Sequence, residues 1–242
     1  MLLSALALVL LGVGVGMALL WVPEDADQGP TQRIFYLHVP VALTAYAMLG
    51  WGAWKAFRLL TTRESRYDLE SYTGIHIGII FALLTLVTGS IWARASWGVW
   101  WDWRERQLVV FLILFLFYSA YFMLRYSLEP GPARGRISAV YALVGVVLIP
   151  ISFLAVRLAE QFLHPTPLIR RGGPDMAASM FATFCVCFAG MVALAAALYA
   201  NELAGKRLDA RLAELRELLR SRRLDGGDQG AEVPALPAPE RG

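Results

Sequence analysis

Gly74 to Trp92 reads GIHIGIIFALLTLVTGSIW, nineteen residues without an Asp, Glu, Lys or Arg. Wound as a helix at about 1.5 Å per residue, it is about 28 Å long, close to the depth of a bilayer's hydrocarbon core. A helix of that length on a soluble domain carries a polar face; this one carries none, so it reads as a transmembrane segment. Directly after it comes Ser96-Trp97-Gly98-Val99-Trp100-Trp101-Asp102-Trp103-Arg104-Glu105-Arg106, which holds four of the chain's eight tryptophans. An indole has a broad apolar face and one N–H donor and settles at membrane interfaces. An aromatic belt at a helix end is the plain explanation. Anchoring needs fewer indoles, however, and four so close together around a glycine make a flat, slightly polar platform suited to a large planar ligand.

Composition widens the same reading to the whole chain. Apolar residues make up 57% and charged residues 17%, against about a quarter charged in soluble domains, and the mean hydropathy is +0.53. Two cysteines, Cys185 and Cys187, cannot supply a disulfide framework; two apart on a helix, they point to different sides.

Outward from Gly74–Trp92, the expected fold is an all-α membrane protein with six transmembrane helices. The first span, Leu2 to Trp21, lacks the basic start and small-residue cleavage site of a signal peptide. A polar loop, Val22 to Gln32, leads to a second span at Ile34 to Leu60, and Thr61 to Tyr72 is a charged connector. The fourth span covers Leu108 to Leu124, Glu129 to Arg136 is a turn, and the fifth covers Ile137 to Val156. A longer loop, Arg157 to Asp175, precedes the sixth span, Met176 to Tyr199, for which Asp175 is an N-terminal cap. Three parts result: a six-helix membrane domain over 1–200, an amphipathic helix over 201–224 with Leu208, Leu212, Leu215 and Leu219 on one stripe, and a Gly/Pro-rich disordered tail over 225–242.

Lysines and arginines set the expected orientation. Fifteen lie in the connectors after spans two and four and in the tail, against seven in the loops after spans one, three and five. Both termini are therefore expected in the cytoplasm, and the tryptophan stretch outside. Without the tail the count is an even seven to seven.

Two of the three histidines then fall at the outer face. His38 lies near the start of span two, beside Pro40, whose missing N–H is expected to kink or open the helix there. His164 lies in the long outer loop. A lone histidine in a helix commonly does no more than pack, but ionisable groups at membrane depth mark functional sites. Two neutral imidazoles approaching from opposite sides can bind haem iron axially while aromatic surface covers the porphyrin. As zinc ligands they form an incomplete set. Haem propionates need arginine partners, and Arg33, Arg94, Arg104, Arg106, Arg157, Arg170 and Arg171 are all expected outside. His76 falls at the opposite end of span three; it is either a packed helix-end residue or part of a relay on that side. No nucleotide-binding or hydrolytic motif is present, so the chain reads as a binding and transfer component.

The tryptophan stretch, Trp97-Gly98-Val99-Trp100-Trp101-Asp102-Trp103, resembles the WGxWWxW signature of the haem-handling family that includes CcmC of cytochrome c maturation. Gln32 to Pro40 resembles that family's first-histidine motif, and Leu163-His164-Pro165 its second, so the resemblance covers about residues 1–200. It departs from the pattern at Arg104, where an aspartate is common, and at Glu160-Gln161-Phe162, where tryptophans are. The resemblance implies a protein of the bacterial cytoplasmic membrane that holds haem b non-covalently, in transit, on the outer side. His38 and His164 would be the axial ligands, Trp97, Trp100, Trp101 and Trp103 with Gly98 the platform, and Arg33, Arg104 and Arg106 the outer cations beside it. It also implies delivery to the haem chaperone CcmE and partnership with the ABC transporter subunits CcmA and CcmB and the small protein CcmD. The rivals are a CcsA-like synthase subunit, which has more spans and histidines; a small-molecule transporter with an interfacial aromatic cluster; and a b-type cytochrome, which needs mid-span histidines.

Overall fold

Among the described residues, six stretches too apolar to leave in water are helical over a length sufficient to cross a membrane. The computed structural model describes residues 2–25, 28–158 and 176–228. Among these, the order is α1 (Leu2–Leu20), a 3-10 turn (Pro30–Ile34), α2 (Phe35–Thr62), α3 (Arg66–Trp97), α4 (Arg106–Ser127), α5 (Pro132–Val146), α6 (Leu148–Leu158) and α7 (Ala178–Asp228), with no strand. The protein is an all-α, multi-pass membrane protein, as its sequence leads one to expect.

Several boundaries differ from the sequence-based expectation. The charged connector at Thr61–Tyr72 shrinks to residues 63–65, because its charges are absorbed into helices by pairing. Lys55 on α2 lies 2.9 Å from Glu70 on α3, and Arg125 on α4 grips Asp68 through two bonds of 2.8 Å. Paired charges can sit within a helix at the membrane's edge where single ones cannot. Arg63 closes α2 in the left-handed region, φ 58°, with its N–H on the Leu59 carbonyl. The fifth span is broken at Val147, since Pro150 has no N–H to offer the Val146 carbonyl. Pro40, by contrast, does not open α2. It sits so near the helix start that its ring meets only the first turn, and the non-α winding lies upstream, at Pro30–Ile34.

The chain divides into two compact units, 1–201 and 202–242, and α7 contributes to each. In the first, α2 and α3 pack most extensively, because glycines let their backbones touch. A Cβ built on Gly74 would lie 2.9 Å from Gly52 Cα, and one on Gly78 would lie 3.0 Å from the Leu49 backbone nitrogen. Leu49, Ile75, Phe81, Leu114, Tyr118 and Tyr121 fill the core beside this seam. In the second unit Leu208, Leu212, Leu215 and Leu219 are exposed, and Lys206 pairs with Glu202. Residues 225–228, expected in the disordered tail, are helical: each residue added to a running helix gains a hydrogen bond. The rest of that tail lies outside the described residues.

Candidate functional site

His38 stands near the start of α2 and is buried, 8% exposed. Its surroundings come from α3, where Thr88, Gly89 and Trp92 recur at a helical spacing that puts them on one face. His38 Nδ1 lies 2.8 Å from Thr88 Oγ1. The Thr88 hydroxyl is in turn 2.8 Å from the Leu84 carbonyl oxygen. Trp92, also buried, meets the imidazole edge-on at 5.6 Å between ring centres. Gly89 leaves the ring its room: a Cβ there would lie 2.9 Å from His38 Cε1. Phe35 braces this group, 6.3 Å from Trp92 and 5.7 Å from Phe184 of α7. Gln32 Nε2 donates to the Tyr36 hydroxyl at 2.6 Å.

The tryptophan stretch begins where α3 ends. Trp97 is the last helical residue, and Gly98 caps it in the left-handed region, φ 77°, which a side chain would strain. The Gly98 N–H donates to the Arg94 carbonyl, and the Arg94 guanidinium donates back to the Gly98 carbonyl, a cation at a helix C-terminus where the dipole favours one. The chain then reverses around Asp102. Its Oδ1 accepts the Arg104 backbone N–H at 2.9 Å, and the Arg104 guanidinium binds both carboxylate oxygens, with Nε 3.0 Å from Oδ1 and Nη2 2.6 Å from Oδ2. The Arg104 hydrogen bonds hold the Asp102 carboxyl at about 2, below its ordinary 3.8, and Asp102 raises Arg104 in return.

The four indoles of this stretch do not form a flat sheet. Trp101 and Trp103 meet edge to face, 5.6 Å apart with planes at 65°. Edge-to-face contact suits the ring quadrupoles better than a coplanar array. Trp100 and Trp103 remain 60% and 71% exposed. Trp101 Nε1 is buried and has no hydrogen-bond partner among the described residues.

His38 and the tryptophan stretch share one end of α3. Nine residues, about 13 Å of helix rise, separate Thr88 from Trp97. Ser96 Oγ, 3.4 Å from Thr31 Oγ1, ties the stretch to the entry of α2. Of the expected cations, Arg33 is 4.0 Å from Glu24, Arg104 is committed to Asp102, and Arg106 opens α4 exposed, with no ion pair among the described residues. His164, Arg170 and Arg171 lie outside the described residues, and the side chain of Arg157 is not described. His76 is twelve residues before Thr88 on α3, about 18 Å away along the axis, stacked on Tyr72 and edge-on to Phe122. It belongs to the opposite end. Thr88, Gly89 and Trp92 are the residues that sequence reasoning missed. Their common face was readable, but nothing in the sequence aims that face at His38.

Chemically, an imidazole with one nitrogen bonded to a hydroxyl oxygen is arranged as in metal-bound histidines, where the second nitrogen is the metal ligand. Exposed indoles and a buried, unsatisfied indole N–H suit an apolar ring system with polar edges. These residues fit haem.

The fold is that of a multi-pass membrane protein with a histidine and a tryptophan-rich turn at one end of its bundle. The sequence model of the family CcmC, described as Heme exporter protein C, matches residues 1–216. Heme exporter protein C of Bradyrhizobium diazoefficiens is 30% identical over 231 residues, 95% of this chain and 86% of that one. Its namesake in Paracoccus denitrificans is 35% identical over 196 residues, 79% of this chain and 81% of its own. Heme exporter protein C of Haemophilus influenzae is 31% identical over 189 residues, 78% and 76%. The chain belongs to the heme exporter protein C family.

Proposed function

We propose that this protein holds haem b, as cargo rather than resident cofactor, at the tryptophan end of its bundle, and passes it on during cytochrome c maturation. His38 and His164 are the axial ligands. Trp97, Trp100, Trp101 and Trp103, on a turn set by Gly98, cover the porphyrin, and Arg33 and Arg106 lie nearby for the propionates. Arg104 reaches that role only by leaving Asp102. The bundle sits in the bacterial cytoplasmic membrane with both termini inside and the site on the outer face, beside CcmA, CcmB and CcmD, and the receiver is the chaperone CcmE.

The observation that carries the reading is the pairing of a buried, oriented imidazole with indoles left in the open at the same end of α3. Packing accounts for Trp92 beside His38; it does not account for the exposure of Trp100 and Trp103, of which Trp103 only meets the edge of Trp101. A carrier must release what it holds, and an open aromatic edge gives a receiving protein access to the haem. Haem contributes iron coordination and a broad apolar face; the protein contributes two imidazoles, the indoles and exclusion of water from one side.

Purified full-length protein, loaded with haem, tests this when mixed with apo-CcmE. Haem should move to the chaperone, and the Trp100→Ala/Trp103→Ala double variant should hold and transfer several-fold less. Equal transfer by the double variant sinks the platform. No haem uptake by the wild type at all favours the small-molecule transporter reading.

A further inference from the structure

We infer that Thr88 is a positioning residue for this site: it holds His38 in the tautomer that carries its proton on Nδ1, so that Nε2 presents the lone pair. The consequence for haem rests on the function proposed above; the tautomer itself is a property of the chain alone.

The inference follows from counting protons. The Thr88 hydroxyl has one hydrogen, and two carbonyl oxygens compete for it, Leu84 at 2.8 Å and Thr85 at 3.3 Å. Carbonyls only accept, so the Leu84 contact and the His38 contact are both hydrogen bonds only when the hydrogen points to Leu84, the usual back-bond of a helical threonine. What Thr88 Oγ1 turns toward His38 Nδ1, 2.8 Å away, is therefore a lone pair. Two lone pairs at that distance repel, and the contact is a hydrogen bond only if Nδ1 is the donor. A neutral imidazole has one N–H, so the other nitrogen is left as base. In water a neutral histidine side chain favours the opposite arrangement, with the proton on Nε2, the nitrogen better placed to reach a ligand. Thr88 reverses that preference before anything binds.

Two neighbours on the same helix complete the setting. A Cβ at Gly89 would crowd His38 Cε1 at 2.9 Å, so the glycine admits the ring at the depth where Nδ1 meets Thr88. Trp92, edge-on at 5.6 Å, limits rotation about the remaining side-chain torsion. Residues 88, 89 and 92 of one helix thus fix proton, depth and ring angle. A hydrogen bond from the far nitrogen also makes an imidazole a stronger donor to iron, which favours the ferric state and lowers the reduction potential.

The test uses the full-length, haem-free protein with 15N-labelled histidine, held above the pH at which imidazole protonates. Ring nitrogen shifts distinguish N–H from lone-pair nitrogens, and the His38 signals are those lost in His38→Gln. The wild type and Thr88→Ser should show Nδ1 protonated. Thr88→Val, of equal shape without the oxygen, should shift His38 toward the Nε2–H form. On haem loading, Thr88→Val should bind about tenfold or more weakly and show a raised midpoint potential, both restored in Thr88→Ser. A merely structural threonine would alter melting without moving potential or tautomer. An Nε2–H form in the wild type overturns the inference, as does an unchanged tautomer in Thr88→Val. Should Thr88→Val fail to fold, the wild-type tautomer alone still decides. Failure of the haem reading shows separately, as full haem retention in His38→Ala.

Discussion

Replacing Gly74 with alanine should weaken the bundle and, at a distance, loosen His38. A Cβ at Gly74 lies 2.9 Å from Gly52 Cα and 3.0 Å from Gly52 N, where ordinary contacts begin at 3.4 Å. Both obstacles are backbone and cannot rotate aside, so α2 and α3 must part by about 0.5–1 Å. Overpacking of this kind costs about 1–3 kcal/mol. Gly74 is fourteen residues from Thr88, about 21 Å along a stiff helix. If half an ångström is carried that far, the His38–Thr88 contact lengthens from 2.8 Å to about 3.3 Å, and a full ångström breaks it. Thermal unfolding in nanodiscs should therefore show a lower midpoint for Gly74→Ala, accompanied by a partial shift of the His38 tautomer. Gly50→Ala is the control: nothing lies within 4 Å of a Cβ there, and the helix should be no less stable. A Gly74→Ala protein that melts with the wild type would refute the glycine seam as the device that registers α2 on α3.

Arg125→Ala should destabilise by about 3–5 kcal/mol, because it leaves the Asp68 carboxylate half-buried without its partner; urea unfolding reads this, and Arg125→Ala/Asp68→Ala should recover part of the loss. The Asp102 carboxyl is held at about 2 against an ordinary 3.8. A folded-state value below the unfolded one means that its pairing with Arg104 stabilises the turn above about pH 4 and is lost as pH falls toward 2. Tryptophan fluorescence should therefore change in that acid window in the wild type, and Asp102→Asn should lack the step; identical titrations would contradict the pairing. Gly98→Ala should disturb the turn, since φ 77° is costly for any residue with a side chain, and near-ultraviolet circular dichroism of the tryptophans should report it.

Much of the fold was legible because hydrophobic length is a local property. Gly74–Trp92 announces a span without help from any other residue, and so do the other five. What the sequence hid is relational. Asp68 and Glu70 look like loop residues until Arg125 and Lys55, 57 and 15 positions away, arrive to pair with them. Thr88 and Gly89 look like small residues in an apolar run until His38 comes to lie against them. The site was legible in its chemistry but not in its geometry. Four clustered tryptophans suggested a plane, whereas Trp101 and Trp103 meet edge to face, and Arg104, expected as an outer cation beside the platform, is held by an acid two residues away.

The most direct test of the central claim is the electron paramagnetic resonance spectrum of the oxidised, haem-loaded protein beside His38→Ala and His164→Ala. Two imidazoles on ferric haem give a low-spin signal, which the wild type should show. Each single variant should lose it, either losing haem or turning high-spin, and added imidazole should bring it back. A low-spin signal that survives in either single variant, without added imidazole, would contradict the account.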